Sequence, residues 1–187
     1  MDVRDLAPAL LALGALFEAA NDVLNRTHAR VAVQVNGSFK TGCFRIDLSV
    51  TQQLLDQLAD LFNQRSVATA KNLLEWLGLI GAGGQGLLGL LSWLQGRTPS
   101  RVELLEIGCV RVFVDDESFD TEKEVLELYR HIALRKALEG AIVKPLSQNG
   151  VETFAVIHDE QVSVTLDRAA ARWLVAPEAE DELIDDS

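Results

Sequence analysis

Between Glu75 and Arg97 the chain runs through 21 residues, WLGLIGAGGQGLLGLLSWLQG, without one charged side chain. So apolar a segment has to be covered by protein or by lipid, which limits the fold more than any other feature. As one straight helix it would be about 31 Å long, enough for a bilayer core. Trp76 and Trp93 near its ends suit interfacial positions, and Gly78, Ala82 and Gly86 give a small-residue face that lets helices approach closely. Seven glycines stand against a continuous helix, four of them within Gly81–Gly86, because each costs about 1 kcal/mol in a helix interior relative to alanine. The pattern therefore predicts two short apolar helices, about 67–80 and 87–95, joined by a glycine turn. This hairpin is expected to be buried or to face another subunit, with Trp76, Leu79, Ile80, Leu87, Leu88, Leu91 and Trp93 as interface residues. Insertion of residues 76–96 into a membrane is the alternative.

The flanking sequence predicts an α+β fold. Leu6, Leu10, Leu13, Phe17, Ala20 and Leu24 alternate steps of three and four, the stripe of a core-facing helix with Pro8 in its first turn. Val31, Val33 and Val35, then Phe44, Ile46, Leu48 and Val50, alternate around Asn36-Gly37 and Gly42, which reads as an antiparallel hairpin. A second helical stripe, Leu54, Leu58, Leu61 and Phe62, follows Thr51. The turn cluster Gly96–Ser100 suggests a hinge. Beyond it, a strand over Gly108–Val114 and an acidic turn lead to Thr121 and Glu124, spaced as a capping box. A long helix over about 122–143 is expected to end at Pro145. Two strands, about 152–157 and 161–166, and a short helix capped by Asp167 complete the chain. The expected organisation is an N-terminal helix and β-hairpin lobe over 1–65, the apolar helical hairpin over 66–97, and a C-terminal β-α-β-β-α lobe over 98–176. An acidic tail occupies 177–187.

Composition bounds the chemistry. Apolar residues at 48% and charged ones at 24% exclude a disordered chain. The net charge of −11 disfavours a nucleic-acid coat, which needs clustered Lys and Arg. Six acidic residues and no basic one lie from Glu178 onward, either a solvated end or a bait for a basic partner. Acidic residues around the apolar N-terminal stretch argue against a secretory signal. Cys43 and Cys109 form no disulfide framework, so the expected setting is cytoplasmic, peripheral to the inner membrane if residues 76–96 insert.

No catalytic signature appears. His28, His131 and His158 lack metal-ligand spacing, neither cysteine belongs to a C-x-x-C pair, and no serine sits in a G-x-S-x-G elbow. The glycine run lacks the Gly-Lys-Ser/Thr of a phosphate loop, and no cofactor is expected. Asp115, Asp116, Glu117 and Asp120 offer carboxylates for a hard cation, but fit better as a charged turn before a helix. Arg130, Arg135, Lys136 and Lys144 lie along the long helix, as ordinary basic surface or as a site for an anion or acidic partner.

The phrases VNGSFKTGCFRIDLSV, GLLGLLSWLQGR and TEKEVLELYRHIALRKALEGAIVKPLSQNGVETFAV resemble those of uncharacterised proteins carried by bacterial prophages and mobile elements, over most of residues 28–156. The resemblance implies a bacterial cytoplasmic setting and a part in the contest between phage and host defence, and it carries no functional residues with it. The expected function is a non-enzymatic protein-binding or self-assembling module acting on or within a defence complex. A membrane-associated protein, and an enzyme built around Asp115, Asp116 and Glu117, are the alternatives.

Overall fold

The stripe beginning at Leu6 lies on helix α1 (Val3–Asn25). Ala9, Leu13, Leu16, Phe17 and Ala20 are buried along it, the spacing that sets one helical face on a core. The computed structural model describes residues 3–26, 29–40, 42–54, 68–81 and 84–178. Because α1 starts a turn before the stripe, Pro8 lies inside the helix rather than in its first turn.

Strands β1 (Ala29–Lys40) and β2 (Gly42–Leu54) form the expected antiparallel hairpin. Lys40 faces Cys43, so the reversal falls at Gly42, whose φ of +79° suits a residue without a Cβ. Asn36-Gly37 is not the turn; it is paired within β1 against Asp47 and Ile46. Thr51–Leu54 are likewise strand rather than the start of a helix, since Ala29–Ala32 extend the ladder opposite them. The rest of that expected helix, with Leu58, Leu61 and Phe62, lies outside the described residues.

The apolar segment folds as two helices, α2 (Ala70–Leu77) and α3 (Leu87–Leu94), on either side of the glycine turn. Thr69 and Asn72 cap α2 reciprocally, and Gly78 closes it at φ +80°. Each helix has eight residues and spans about 12 Å, well under half a bilayer core. A Cβ on Gly86 would lie 2.5 Å from the Gly78 nitrogen and 2.6 Å from the Glu75 carbonyl oxygen. The glycines thus serve a backbone-to-backbone approach inside one hairpin.

Strands β3 (Arg101–Leu104), β4 (Cys109–Val114) and β5 (Glu117–Glu122) make an antiparallel meander in that order. Of the acidic residues expected to form a charged turn, Asp115 and Asp116 make the β4–β5 turn, whereas Glu117 and Asp120 lie on β5, exposed, with Thr121 buried between Asp120 and Glu122. The expected capping box does not form: Glu122 precedes helix α4 (Lys123–Arg130) without a side-chain cap. The Thr121 hydroxyl instead donates to the Gln85 carbonyl at 2.6 Å. The long helix breaks at His131 (φ −90°, ψ 104°) and resumes as α5 (Ile132–Leu138). A π-helical turn, Glu139–Val143, then runs into the short turn Lys144–Leu146, which contains Pro145. The helix therefore does not stop before Pro145. The Lys144 N–H reaches back five residues to the Glu139 carbonyl, and this wider turn accommodates a ring that would crowd an ordinary α-turn.

Strands β6 (Val151–His158) and β7 (Gln161–Asp167) follow as expected, and Asp167 caps the closing turn Arg168–Ala171 by accepting from the Ala170 N–H at 2.8 Å. β2 pairs in parallel with β6, giving a four-stranded sheet in the order β1-β2-β6-β7. Phe44 and Phe154 meet edge to face across this pair, centroids 5.7 Å apart. The fold is α+β. One hydrophobic core takes in α1, the apolar hairpin, β2, β4, β6 and the helices after residue 123. The parallel pair joins segments that the sequence reading assigns to separate lobes hinged at Gly96–Ser100.

Candidate functional site

The residues read from sequence as an interface belong to this core. Leu79, Ile80, Leu87, Leu88 and Leu91 are all buried against the chain itself, so they present nothing to a partner or a bilayer. Burial within one chain meets the demand that the uncharged stretch makes. Trp76 and Trp93 are half-buried: the Trp76 indole N–H donates to Glu122 Oε2 at 2.7 Å, and Trp93 packs on Phe119 at 5.4 Å between centroids. Helix α1 is the one described helix long and apolar enough to cross a membrane, over Leu6–Asn25 with mean hydropathy 1.4; its stripe is part of the core.

The acidic candidates do not converge. Asp120 forms a two-point pair with Arg111 at 2.6 and 2.7 Å, which holds its carboxyl below the ordinary value, chiefly by hydrogen bonding. Glu117 accepts from Arg97 at 3.0 Å, while Asp115 and Asp116 are exposed at the β4–β5 turn. Among the described residues no group of His, Cys, Asp or Glu is arranged to hold a metal ion. His131 is a helix cap, its Nδ1 accepting from the Leu134 N–H at 3.4 Å. His158 sits 3.3 Å from Asp159 at the β6–β7 turn, and His28 lies outside the described residues. Cys43 and Cys109 are free and half-buried.

The expected basic stripe is also redistributed. Arg130, Lys136 and Lys144 are exposed, whereas Arg135 is 4% exposed, because it lies beside Leu134 and one turn before Leu138 on the inward face of α5. Its Nη2 donates to the Val175 carbonyl at 3.1 Å, its guanidinium carbon stands 5.2 Å from the Tyr129 ring centroid, and its Nε has no hydrogen-bond partner. Burial pulls the guanidinium below its ordinary pKa, against the opposing pull of Tyr129 and Glu139. Burial likewise pushes the Tyr129 phenol up, with Arg135 opposing. One helical turn on from Arg135, the Glu139 Oε2 accepts from the Ala176 N–H at 3.0 Å. Arg135 and Glu139 thus grip the backbone of residues 175–176. Beside them opens a cleft of about 190 Å³, walled by Leu91, Leu94, Arg97, Tyr129, Trp173 and Pro177. Arg97 is already engaged by the Leu94 and Trp93 carbonyls and by Glu117.

A second feature lies at the tip of the β3–β4 hairpin. Leu104 is 84% and Ile107 97% exposed, flanked by exposed Glu103 and Glu106. Ile107 takes φ 60°, ψ 43°, a left-handed conformation that a β-branched residue adopts only at a cost of about 1–2 kcal/mol. β3 is an edge strand of its sheet. Neither Leu104 nor Ile107 stands out in the sequence, where the segment reads as an ordinary apolar run into β4. Comparison with family models, with curated proteins and with solved structures finds no match for this chain.

Proposed function

We propose that this chain is a non-enzymatic protein-binding module whose contact surface is the tip of the β3–β4 hairpin. The observation that carries this reading is the pair Leu104 and Ile107, held almost wholly in solvent at the β3–β4 end of the three-stranded meander. Two large aliphatic side chains lose free energy in water, of the order of 1.5–3 kcal/mol each, that a partner's pocket would recover. The strained backbone at Ile107 directs its side chain outward at a position where glycine or asparagine would be cheaper. Glu103 and Glu106 beside them, on a chain of net charge −11, favour a pocket with a basic rim. In the bacterial setting implied by the prophage-like phrases, the partner would be a component of a defence complex.

A photo-crosslinking amino acid at position 107, with a control at exposed Asp116 at the far end of β4, tests this reading. The partner should be captured from position 107 alone, and purified partner should bind Ile107→Asp at least about tenfold more weakly than wild type. Equal capture from both positions, or unchanged binding by Ile107→Asp, would refute it. Capture of the chain by itself would identify the partner as a second copy.

A further inference from the structure

We propose that the cleft beside Arg135 is a carboxylate-binding site, suited to a carboxylate carried on a small apolar body. The site is separate from the hairpin tip and does not depend on its role. Arginine stays charged throughout the physiological range, and taking that charge out of water costs several kcal/mol unless an anion and hydrogen bonds compensate. Arg135 is 4% exposed; Tyr129 and Glu139 offset part of that burial, but its backbone hydrogen bond goes to the neutral Val175 carbonyl and its Nε is left without a partner. The acid nearest in sequence on the same face, Glu139, directs an oxygen at the Ala176 amide and makes no ion pair with Arg135 within 4.0 Å. A guanidinium that lines a cleft with its Nε donor unused is matched by a carboxylate, which can accept two parallel N–H bonds.

The walls define the remainder of the ligand. Leu91, Leu94, Tyr129, Trp173 and Pro177 are apolar or aromatic, Arg97 and Thr98 add a polar edge, and a volume of about 190 Å³ equals roughly six waters at about 30 Å³ each. That space fits a ring or a short aliphatic chain behind the carboxylate. Two sources supply this chemistry: a free small carboxylic acid, or the acidic residues of this chain, which begin at Glu178 directly after the cleft wall at Pro177.

The test is a nuclear magnetic resonance titration of ¹⁵N-labelled protein with sodium benzoate, using benzamide as the uncharged control. It is run on the full chain and on a chain ending at Pro177. The probe signal is the Arg135 Nε–H, assigned by its disappearance in Arg135→Lys. Benzoate should shift this signal saturably and benzamide should not. Arg135→Lys, followed through the backbone amides of residues 175 and 176, should bind benzoate about tenfold more weakly, since lysine keeps the charge and loses the planar fork. If the chain's own acids fill the cleft, shortening alone moves the Arg135 signal and benzoate titrates only the shortened chain; if the ligand is free, both chains titrate alike. Either pattern supports carboxylate recognition and names its source. Absence of a saturable benzoate shift in both chains, an equal response to benzamide, or undiminished affinity in Arg135→Lys would overturn the proposal. Should Arg135→Lys not fold, the wild-type contrast between benzoate and benzamide decides alone.

Discussion

Replacing Gly86 by alanine tests why the uncharged segment is so rich in glycine. At φ −77° the backbone of Gly86 is open to any residue, so alanine there would ordinarily stabilise the protein by about 0.4–1 kcal/mol by restricting the unfolded chain. The surroundings reverse that sign. The added methyl would meet the Gly78 nitrogen at 2.5 Å and the Gly78 Cα and Glu75 oxygen at 2.6 Å. All three are backbone atoms that no side-chain rotation can clear. Restoring a tolerable contact requires the ends of α2 and α3 to separate by about 0.5 Å or more, disturbing the Gly78 N–H bonds to Glu75 and Leu74, and overpacking of this kind costs about 1–3 kcal/mol. For a chain of this length the melting temperature should fall by about 2–10 °C. Gly14→Ala in α1, where a Cβ meets nothing within 4 Å, should do the opposite and raise stability by about 1 kcal/mol through helix propensity. Urea unfolding followed by circular dichroism and a thermal melt of both variants supply the comparison. A Gly86→Ala protein as stable as wild type, or more so, would refute the argument that backbone contact sets this residue.

Ile107→Gly should stabilise the free protein by about 1 kcal/mol by relieving the left-handed strain, while weakening partner binding; thermal melts and binding titration check the two halves separately. Asn25→Leu should cost about 2–4 kcal/mol in urea unfolding, because the Asn25 amide both accepts from the Ala68 N–H at 2.7 Å and donates to its carbonyl at 2.9 Å. Arg111 holds the folded-state pKa of Asp120 below the ordinary value near 3.8, so the stabilisation from this pair is present above that pH and is lost as pH falls through the depressed value. The difference in urea midpoint between wild type and Asp120→Asn should therefore be largest at neutral pH and shrink in acid. The raised Tyr129 pKa has the reverse sense, giving a contribution present below pH 10 and lost as pH climbs further toward the folded-state value, which Tyr129→Phe should remove from the alkaline limb.

Elements that write a period into the chain were legible. The α1 stripe, the β1–β2 hairpin, the glycine break between two apolar helices, and the Asp167 cap follow from spacing and turn chemistry alone. What was hidden depends on distant partners. β5 reads as a charged turn because Glu-Ser-Phe-Asp-Thr-Glu has few apolar residues to alternate, and only its ladder with β4 makes it a strand. The His131 break has no glycine or proline to announce it. For the candidate sites, Arg135 carried a usable signal, a cation beside Leu134 and one turn before inward-facing Leu138, whereas exposure of Leu104 and Ile107 is decided by where the hairpin projects. The apolar segment was rightly read as needing cover, but a single sequence does not reveal whether that cover comes from its own chain.

The parallel ladder between β2 and β6 bears on how the protein is made. Its two halves, Gly42–Asp47 and Val151–Ile157, are separated by about a hundred residues, which a ribosome needs roughly 5–20 s to add. Throughout that interval the nascent N-terminal hairpin has an edge with no mate, an invitation to strand exchange between neighbouring chains on one messenger. Yield of soluble protein should therefore respond to translation speed and to chaperones that shield emerging strands.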